Sequence, residues 1–377
     1  MDNELLTEIH LMKNHSERTQ LLYKYAVKRY TEFCSMSMEE LLEEAEQEED
    51  KGIKWKKRTL KRRLLTFRQH LLQNHTLNTM YTTLRPVIAV YKYYEIEVFE
   101  LPPVNKKNVA TPAPVRFSDL PDKEILRKAI SIANPILKAI IYFMVSSGCA
   151  RRETLNLTIG DYITSLSKYT KKTNIYDVIE DLDDAKHVIP TFNIRRQKTD
   201  KYYTTYCTPE AVNAINSYLL SRTDHLTDDK QLFKIGNCYF SDLFANMNGK
   251  LGLGKVGSYN RFRSHMLRKF HASALYNDGM SLDNVNDLQG KAKNKTDASY
   301  FMTNPEDLKN DYIEHMHAVT LNKEVEKLSI KSPEFIQIEN ENKELRSELD
   351  EIKSDIDSLQ KVKSELDGLK KVLGNGK

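Results

Sequence analysis

The chain has 377 residues, 40% of them hydrophobic and 29% charged, which exceeds one average domain and excludes a miniprotein, a wholly disordered chain and a collagen-like one. Its 57 Lys and Arg against 53 Asp and Glu leave a net charge of only +4, so where the charges sit says more than their sum. The longest apolar stretch, Ile140 to Val145, is too short to span a bilayer, and the acidic N-terminus has neither the basic nor the apolar region of a secretory signal, so an intracellular chain is expected. Cys34, Cys149, Cys207 and Cys238 show no CxxC spacing, which argues against a zinc site and a disulfide framework.

Residues 16–100 read as helices. Leu21, Tyr25, Val27 and Tyr30 lie near helical spacing, Met38 to Glu49 forms a second helix, and Leu60, Leu64, Phe67 and Leu71 stripe a third over Thr59 to Gln73. A further helix runs from about Thr76 to Tyr94. Charge switches abruptly here: residues 39–50 hold eight acidic side chains and no basic one, and Lys51 to Arg68 hold nine basic and no acidic one. Lys54, Lys56, Lys57, Arg58, Lys61 and Arg62 form a cationic flank that could track phosphates; two solvated helix surfaces are the alternative. The segment from Leu101-Pro102-Pro103 to Pro112-Ala113-Pro114 holds four of the eleven prolines and reads as an extended connector at a domain boundary.

Beyond it, Leu120 to Ala133 and Pro135 to Ser146 are helical, the latter ending at Ser147-Gly148. Val188 to Ile194 and Tyr202 to Tyr206 are β-rich on either side of the polar Lys198-Thr199-Asp200-Lys201, which predicts a hairpin. Helices return over Pro209 to Arg222, Cys238 to Ala245, Gly257 to Asp278, Ser281 to Leu288 and Pro305 to His317. The fold class expected is mainly α with a small β-sheet. From Ile338 onward Ile338, Leu345, Ile352, Leu359, Leu366 and Leu373 recur every seven residues, with Leu349 and Ile356 on the second seam, a coiled-coil pattern over 333–373. Asn342, Lys363 and Lys370 share that second seam and could set register or partner number. A solitary charged helix is the alternative to self-association or binding of an accessory protein.

Several pieces carry chemistry in combination: Ser147-Gly148-Cys149-Ala150-Arg151-Arg152-Glu153, Lys198 in the hairpin, His265-Met266-Leu267-Arg268, Leu288-Gln289-Gly290-Lys291, and Ser299-Tyr300-Phe301. In this order the pieces resemble the tyrosine recombinase (phage integrase) family, in an archaeal-type or viral integrase variant, over residues 16–320. The resemblance implies cleavage of a phosphodiester, which requires a nucleophile, cations for the growing charge on the non-bridging oxygens, and an acid for the leaving 5′ oxygen. Arginine forks suit phosphate oxygens, and His265, one helical turn before Arg268, can share its face. The resemblance implies a helical core-binding (SAM-like) DNA-binding domain at 1–101, a linker at 102–118 and a catalytic domain at 119–325.

The resemblance implies catalytic roles for Arg151, Lys198, His265, Arg268, Lys291 and Tyr300, with Glu153 orienting the clamp. Tyr300 would attack phosphorus to give a 3′-phosphotyrosine, and Lys198 would protonate the leaving oxygen. Its ester keeps the bond energy, so no cofactor, ATP or metal is expected. Double-stranded attachment sites, a homo-tetramer on two sites and a Holliday junction are implied, as is a cytoplasmic, DNA-associated protein with no membrane partner. The implied function is integration or excision of a mobile element or viral genome; a host chromosome-dimer resolvase or a catalytically silent DNA-binding scaffold are the alternatives. Three departures stand out. Ala150 occupies the common arginine position, leaving Arg151 with Arg152 as rival; Lys291 stands where the family usually has histidine; and Tyr312 rivals Tyr300.

Overall fold

The computed structural model describes residues 2–105, 114–182, 185–196, 201–291 and 303–322. The chain divides into two compact units, residues 1–114 and 115–377. The described residues are mostly helical, with two small two-stranded sheets in the second unit. No helix among the described residues is long and apolar enough to cross a membrane. Lys198, Tyr300 and the heptad segment 333–373 lie outside the described residues.

The first unit comprises α1 (Asp2–Met12), α2 (Glu17–Cys34), α3 (Met38–Asp50), α4 (Thr59–Asn74) and α5 (Leu77–Tyr93). Ser16, Ser37 and Thr76 start α2, α3 and α5 by accepting a backbone N–H of the first turn, and Glu40 returns a bond to the Ser37 N–H. The stripe Leu60, Leu64, Phe67 and Leu71 is buried, as its spacing predicts. It meets Tyr30, whose ring centroid lies 5.0 Å from that of Phe67 and whose hydroxyl is 3.2 Å from that of Tyr91. In α2 the buried face is Ala26, Val27 and Tyr30, whereas Leu21 is 67% and Tyr25 54% exposed. The helical step of about 100° per residue sets positions 21 and 30 on opposite sides, so the four apolar residues never shared a face.

The basic run is not uniformly available to a ligand. Lys54, Lys56, Lys57 and Arg62 are exposed and Lys61 is partly so. Arg58, expected among the DNA-binding cations, is instead 8% exposed: it pairs with Glu49, lies 3.6 Å from Glu97 and donates to the Ile53 carbonyl at 2.8 Å. Arg63 pairs with Glu44 at 2.8 Å, and the Glu48 carboxylate accepts the Thr59 N–H that opens α4. Acids of α3 thus neutralise part of the basic run, because a buried cation without a partner is costly.

The second unit begins with α6 (Lys123–Ile132) and α7 (Pro135–Ser147), and α7 is buried nearly throughout, packed against α11 (Pro209–Leu220) and α13 (Ser264–Asn277). Gly148, at φ +65°, ends α7 in the left-handed region. Three short helices follow, α8 (Arg151–Asn156), α9 (Ile159–Ser165) and α10 (Ile175–Asp181), then β1 (Thr191–Arg196) and β2 (Lys201–Tyr206), antiparallel with Ile194 opposite Tyr203 and Arg196 opposite Lys201. After α12 (Asn237–Lys250), the helix expected from Gly257 starts only at Ser264, because Gly257, at φ +61°, turns a minute hairpin of β3 (Lys255–Val256) and β4 (Tyr259–Asn260). Then come α14 (Leu282–Leu288) and α15 (Pro305–His315).

The described part of the chain ends in a clamp. Glu210, buried in the first turn of α11, accepts the backbone N–H groups of Leu321 at 2.7 Å and Asn322 at 2.9 Å, while Arg127 donates to the Leu321 carbonyl at 2.5 Å. Burial pushes the Glu210 carboxyl up to about 7 despite those two bonds.

Candidate active site

Arg268 sits on the second turn of α13, 8% exposed, inside a frame of oxygens. Its Nη1 donates to the Gly148 carbonyl at 2.6 Å and reaches Glu153 Oε2 at 3.4 Å; its Nη2 donates to the Gln289 carbonyl at 2.5 Å. The Gln289 amide returns a bond of 2.9 Å to the Arg268 carbonyl. A guanidinium has five N–H donors. Among the described residues these contacts engage three, which leaves the Nε–H and one Nη2–H, a pair suited to two oxygens of one phosphate.

Glu153, on α8, is the node of the frame. Its Oε2 accepts the Ala150 N–H at 2.6 Å and the Tyr203 hydroxyl at 2.9 Å, and its Oε1 lies 3.6 Å from Arg196 Nε. Arg196 also donates to the Gly290 carbonyl at 2.6 Å, at the turn leading to Lys291. Gly290 is at φ +57°, and a methyl group there would run into the Tyr203 ring. Gly148 is equally hemmed in by the buried ring of His271, whose Nδ1 lies 3.0 Å from the Val145 carbonyl. Burial drives the His271 ionisation down to about 3, with Arg268 adding to the effect, so this ring is neutral packing behind the turn.

A cavity of about 500 Å³ opens beside this frame, lined by His265, Arg268, Lys269 and Lys291 together with Arg116, Phe117 and Gln289, and no carboxylate among the described residues lines it. His265 is half-buried, and burial followed by the nearby Lys269, Arg263 and Arg268 lowers its pKa, which favours the neutral ring. Burial, then Arg268 and Arg196, lowers the Lys291 pKa and makes its ammonium a better proton donor than an exposed lysine.

The structure brings together His265, Arg268 and Lys291, with Glu153 behind them. It does not bring Arg151 to that cavity. The Arg151 guanidinium stacks over the Phe240 ring at 4.8 Å and donates to the Asn237 carbonyl at the start of α12, and its Nε is buried without a partner among the described residues. The rival Arg152 is exposed. Tyr312 is fully buried and donates to the Ser146 carbonyl at 2.9 Å, a core role that removes it as a nucleophile. Sequence reasoning missed Arg196, Tyr203 and His271, and it quoted Gln289 within a motif without its part in the frame. For the hairpin pair a signal existed: Phe192 and Ile194 are inward, so period two puts Arg196 on that face, and Tyr203 is the register partner of Ile194.

Among the described residues, one group could hold a metal: Asp311, Glu314 and His315 on α15, whose ligand atoms lie within 4.8 Å of one another. It is no part of the cavity, and His315 is already paired with Asp278 at 2.8 Å and Asp311 at 3.5 Å.

No protein-family model and no curated protein sequence matches the chain. Solved structures similar to it include XerA recombinase, at 19% identity over 84% of this chain and 99% of that one, with a TM-score of 0.34. The Tn1549 transposon integrase in complex with circular intermediate DNA is 13% identical over 83% of this chain and 98% of that one, with a TM-score of 0.46. The integrase from mycobacterium phage Brujita is 14% identical over 88% and 98% of the two chains, with a TM-score of 0.33.

Proposed function

We propose that this chain is a site-specific DNA strand transferase of the tyrosine recombinase type, which cleaves and rejoins duplex DNA through a 3′-phosphotyrosine and so integrates or excises a mobile element or viral genome. One observation carries the reading: a cavity lined by His265, Arg268, Lys269, Lys291 and Arg116 and, among the described residues, by no carboxylate, with Arg268 held by backbone carbonyls and Glu153. A preorganised cationic pocket of this kind favours a phosphate whose charge grows in the transition state.

In this reading Arg268 binds the non-bridging oxygens, and the neutral His265 holds or moves a proton beside them. Lys291 donates a hydrogen bond where the family has histidine. Tyr300 attacks phosphorus, its P–O bond forming as the bond to the 5′ oxygen breaks, and Lys198 gives that oxygen its proton. The incoming 5′ hydroxyl reverses the same steps, so the ester supplies the energy of resealing. Arg151 or Arg152 completes the clamp; Arg152 has the exposed side chain, whereas Arg151 is engaged on α12. The first unit grips the duplex through Lys54, Lys56, Lys57, Lys61 and Arg62. Four protomers on two attachment sites exchange strands through a Holliday junction, and residues 333–373 join protomers or an accessory protein.

The test is a trapping experiment. Wild-type protein incubated with genomic fragments carrying nicks should form a covalent adduct, and sequencing the trapped ends names the target. On a nicked duplex of that sequence, Tyr300→Phe should abolish the adduct; an undiminished adduct in that variant rejects Tyr300, and no adduct from the wild type rejects the enzyme in favour of a silent DNA-binding scaffold.

A further inference from the structure

We propose that Tyr203 and Arg196, one on each strand of the β1–β2 hairpin, are positioning residues that hold the Glu153 carboxylate so that Arg268 keeps its fork turned to the cavity. This rests on the strand-transfer reading of that cavity. Glu153 stands between two guanidiniums, Arg268 at 3.4 Å from one oxygen and Arg196 at 3.6 Å from the other. Both separations are long for a charge-assisted hydrogen bond, so neither cation by itself fixes the carboxylate plane. The short contacts do: the Tyr203 hydroxyl at 2.9 Å and the Ala150 N–H at 2.6 Å both donate to Oε2. Without the hydroxyl, one N–H pins the oxygen that faces Arg268, and the carboxylate can rotate toward Arg196.

The hairpin is itself anchored where it must be for this task. The Tyr203 ring occupies the space that a Gly290 side chain would need, and Arg196 donates to the Gly290 carbonyl at 2.6 Å, so both strands dock on the turn before Lys291. Burial beside Cys149 and Glu153 keeps the phenol protonated at any working pH, hence a donor. The hydroxyl also lies 3.6 Å from Cys149 Sγ, a thiol that burial raises to about 11 and so leaves uncharged. Arg268 is thereby aligned by a chain from β2 through Glu153, and small errors of alignment at a reacting phosphate are costly in rate.

Tyr203→Phe keeps the ring against Gly290 and deletes only the donor. The experiment compares adduct formation by wild type and variant on two nicked duplexes of the trapped sequence. One has a normal scissile phosphate; the other has a methylphosphonate there, which lacks the charge that Arg268 neutralises. The variant should be slowed about tenfold on the phosphate, bind the duplex with unchanged affinity, and match the wild type on the methylphosphonate. Equal slowing on both substrates, or none on either, overturns the proposal. Arg196→Lys, which keeps the charge but not the fork, should show the same selective slowing and stands in if Tyr203→Phe folds poorly, as read from its melting temperature. Wild-type protein that forms no adduct on either duplex overturns the strand-transfer reading itself.

Discussion

The two units use cations in opposite ways. On the first, Lys54, Lys56, Lys57 and Arg62 stand in solvent; in the second, Arg268 is sunk among the Gly148 and Gln289 carbonyls and Glu153. A solvated lysine attracts a polyanion from a distance and yields to salt, without fixing an angle. A framed guanidinium adds little to long-range attraction but presents two donors in one direction. Affinity and geometry are thus separable in this chain. Arg58 is the instructive exception, a buried arginine of the first unit whose donors go to Glu49, Glu97 and Ile53 and so belong to the frame rather than the surface.

The hardest test of that contrast pairs the two buried arginines. Replacing either with alanine takes a guanidinium from a carboxylate and should destabilise its unit, by about 1–3 kcal/mol for Arg268, since Glu153 keeps the Ala150 N–H, the Tyr203 hydroxyl and Arg196, and by less for Arg58, whose partner Glu49 is partly in water. Only the second unit should lose chemistry: Arg268→Lys, which keeps the charge and loses the fork, should slow adduct formation by about 10²–10³-fold with DNA affinity within a few-fold. A proportional loss of affinity would merge the two roles that the comparison separates.

Acid offers a second probe, confined to the frame. The folded protein keeps His271 neutral down to about 3, while in the unfolded chain the same group takes up a proton below 6.5. The unfolded state therefore binds the extra proton, so this contribution is complete above 6.5 and is lost progressively as pH falls toward about 3. The melting temperature of the wild type should fall across that window, and His271→Leu should flatten the fall. An unchanged slope in the variant would show that other groups set the acid limit.

The smallest effect belongs to the surface. Converting Lys57, Lys61 and Arg62 to glutamine should weaken DNA binding and reduce the slope of log affinity against log salt by about one unit per cation that contacts a phosphate. Melting temperature should stay constant. A salt slope identical to wild type would remove these side chains from the interface.

Much of this could be read from residues alone because it rests on local rules. The α4 stripe follows from spacing, the limits of α7 from Pro135 and Gly148, and the hairpin from two β-rich runs about a polar turn. The placements that residue patterns do not give depend on partners in other elements. No charge run announces that Glu49 and Glu97 enclose Arg58, or that Phe240 and Asn237 receive Arg151. The frame of Arg268 is built largely from backbone carbonyls, which every residue possesses and no side-chain pattern encodes. His265, Arg268 and Lys291 were legible as a set because each sits in a recognisable short motif; Tyr203 was not, since its meaning comes from a register across two strands.

The clamp at Glu210 has an electrostatic corollary. Leu321 and Asn322 are stitched to α11 through Glu210, and Arg127 grips the same peptide. Peeling them away would leave the Glu210 carboxylate, already raised to about 7, without the two N–H groups that favour its charge, so it would take up a proton more readily. Because α11 packs on α7, which ends at Gly148, that loss would fall on the scaffold of the Arg268 frame.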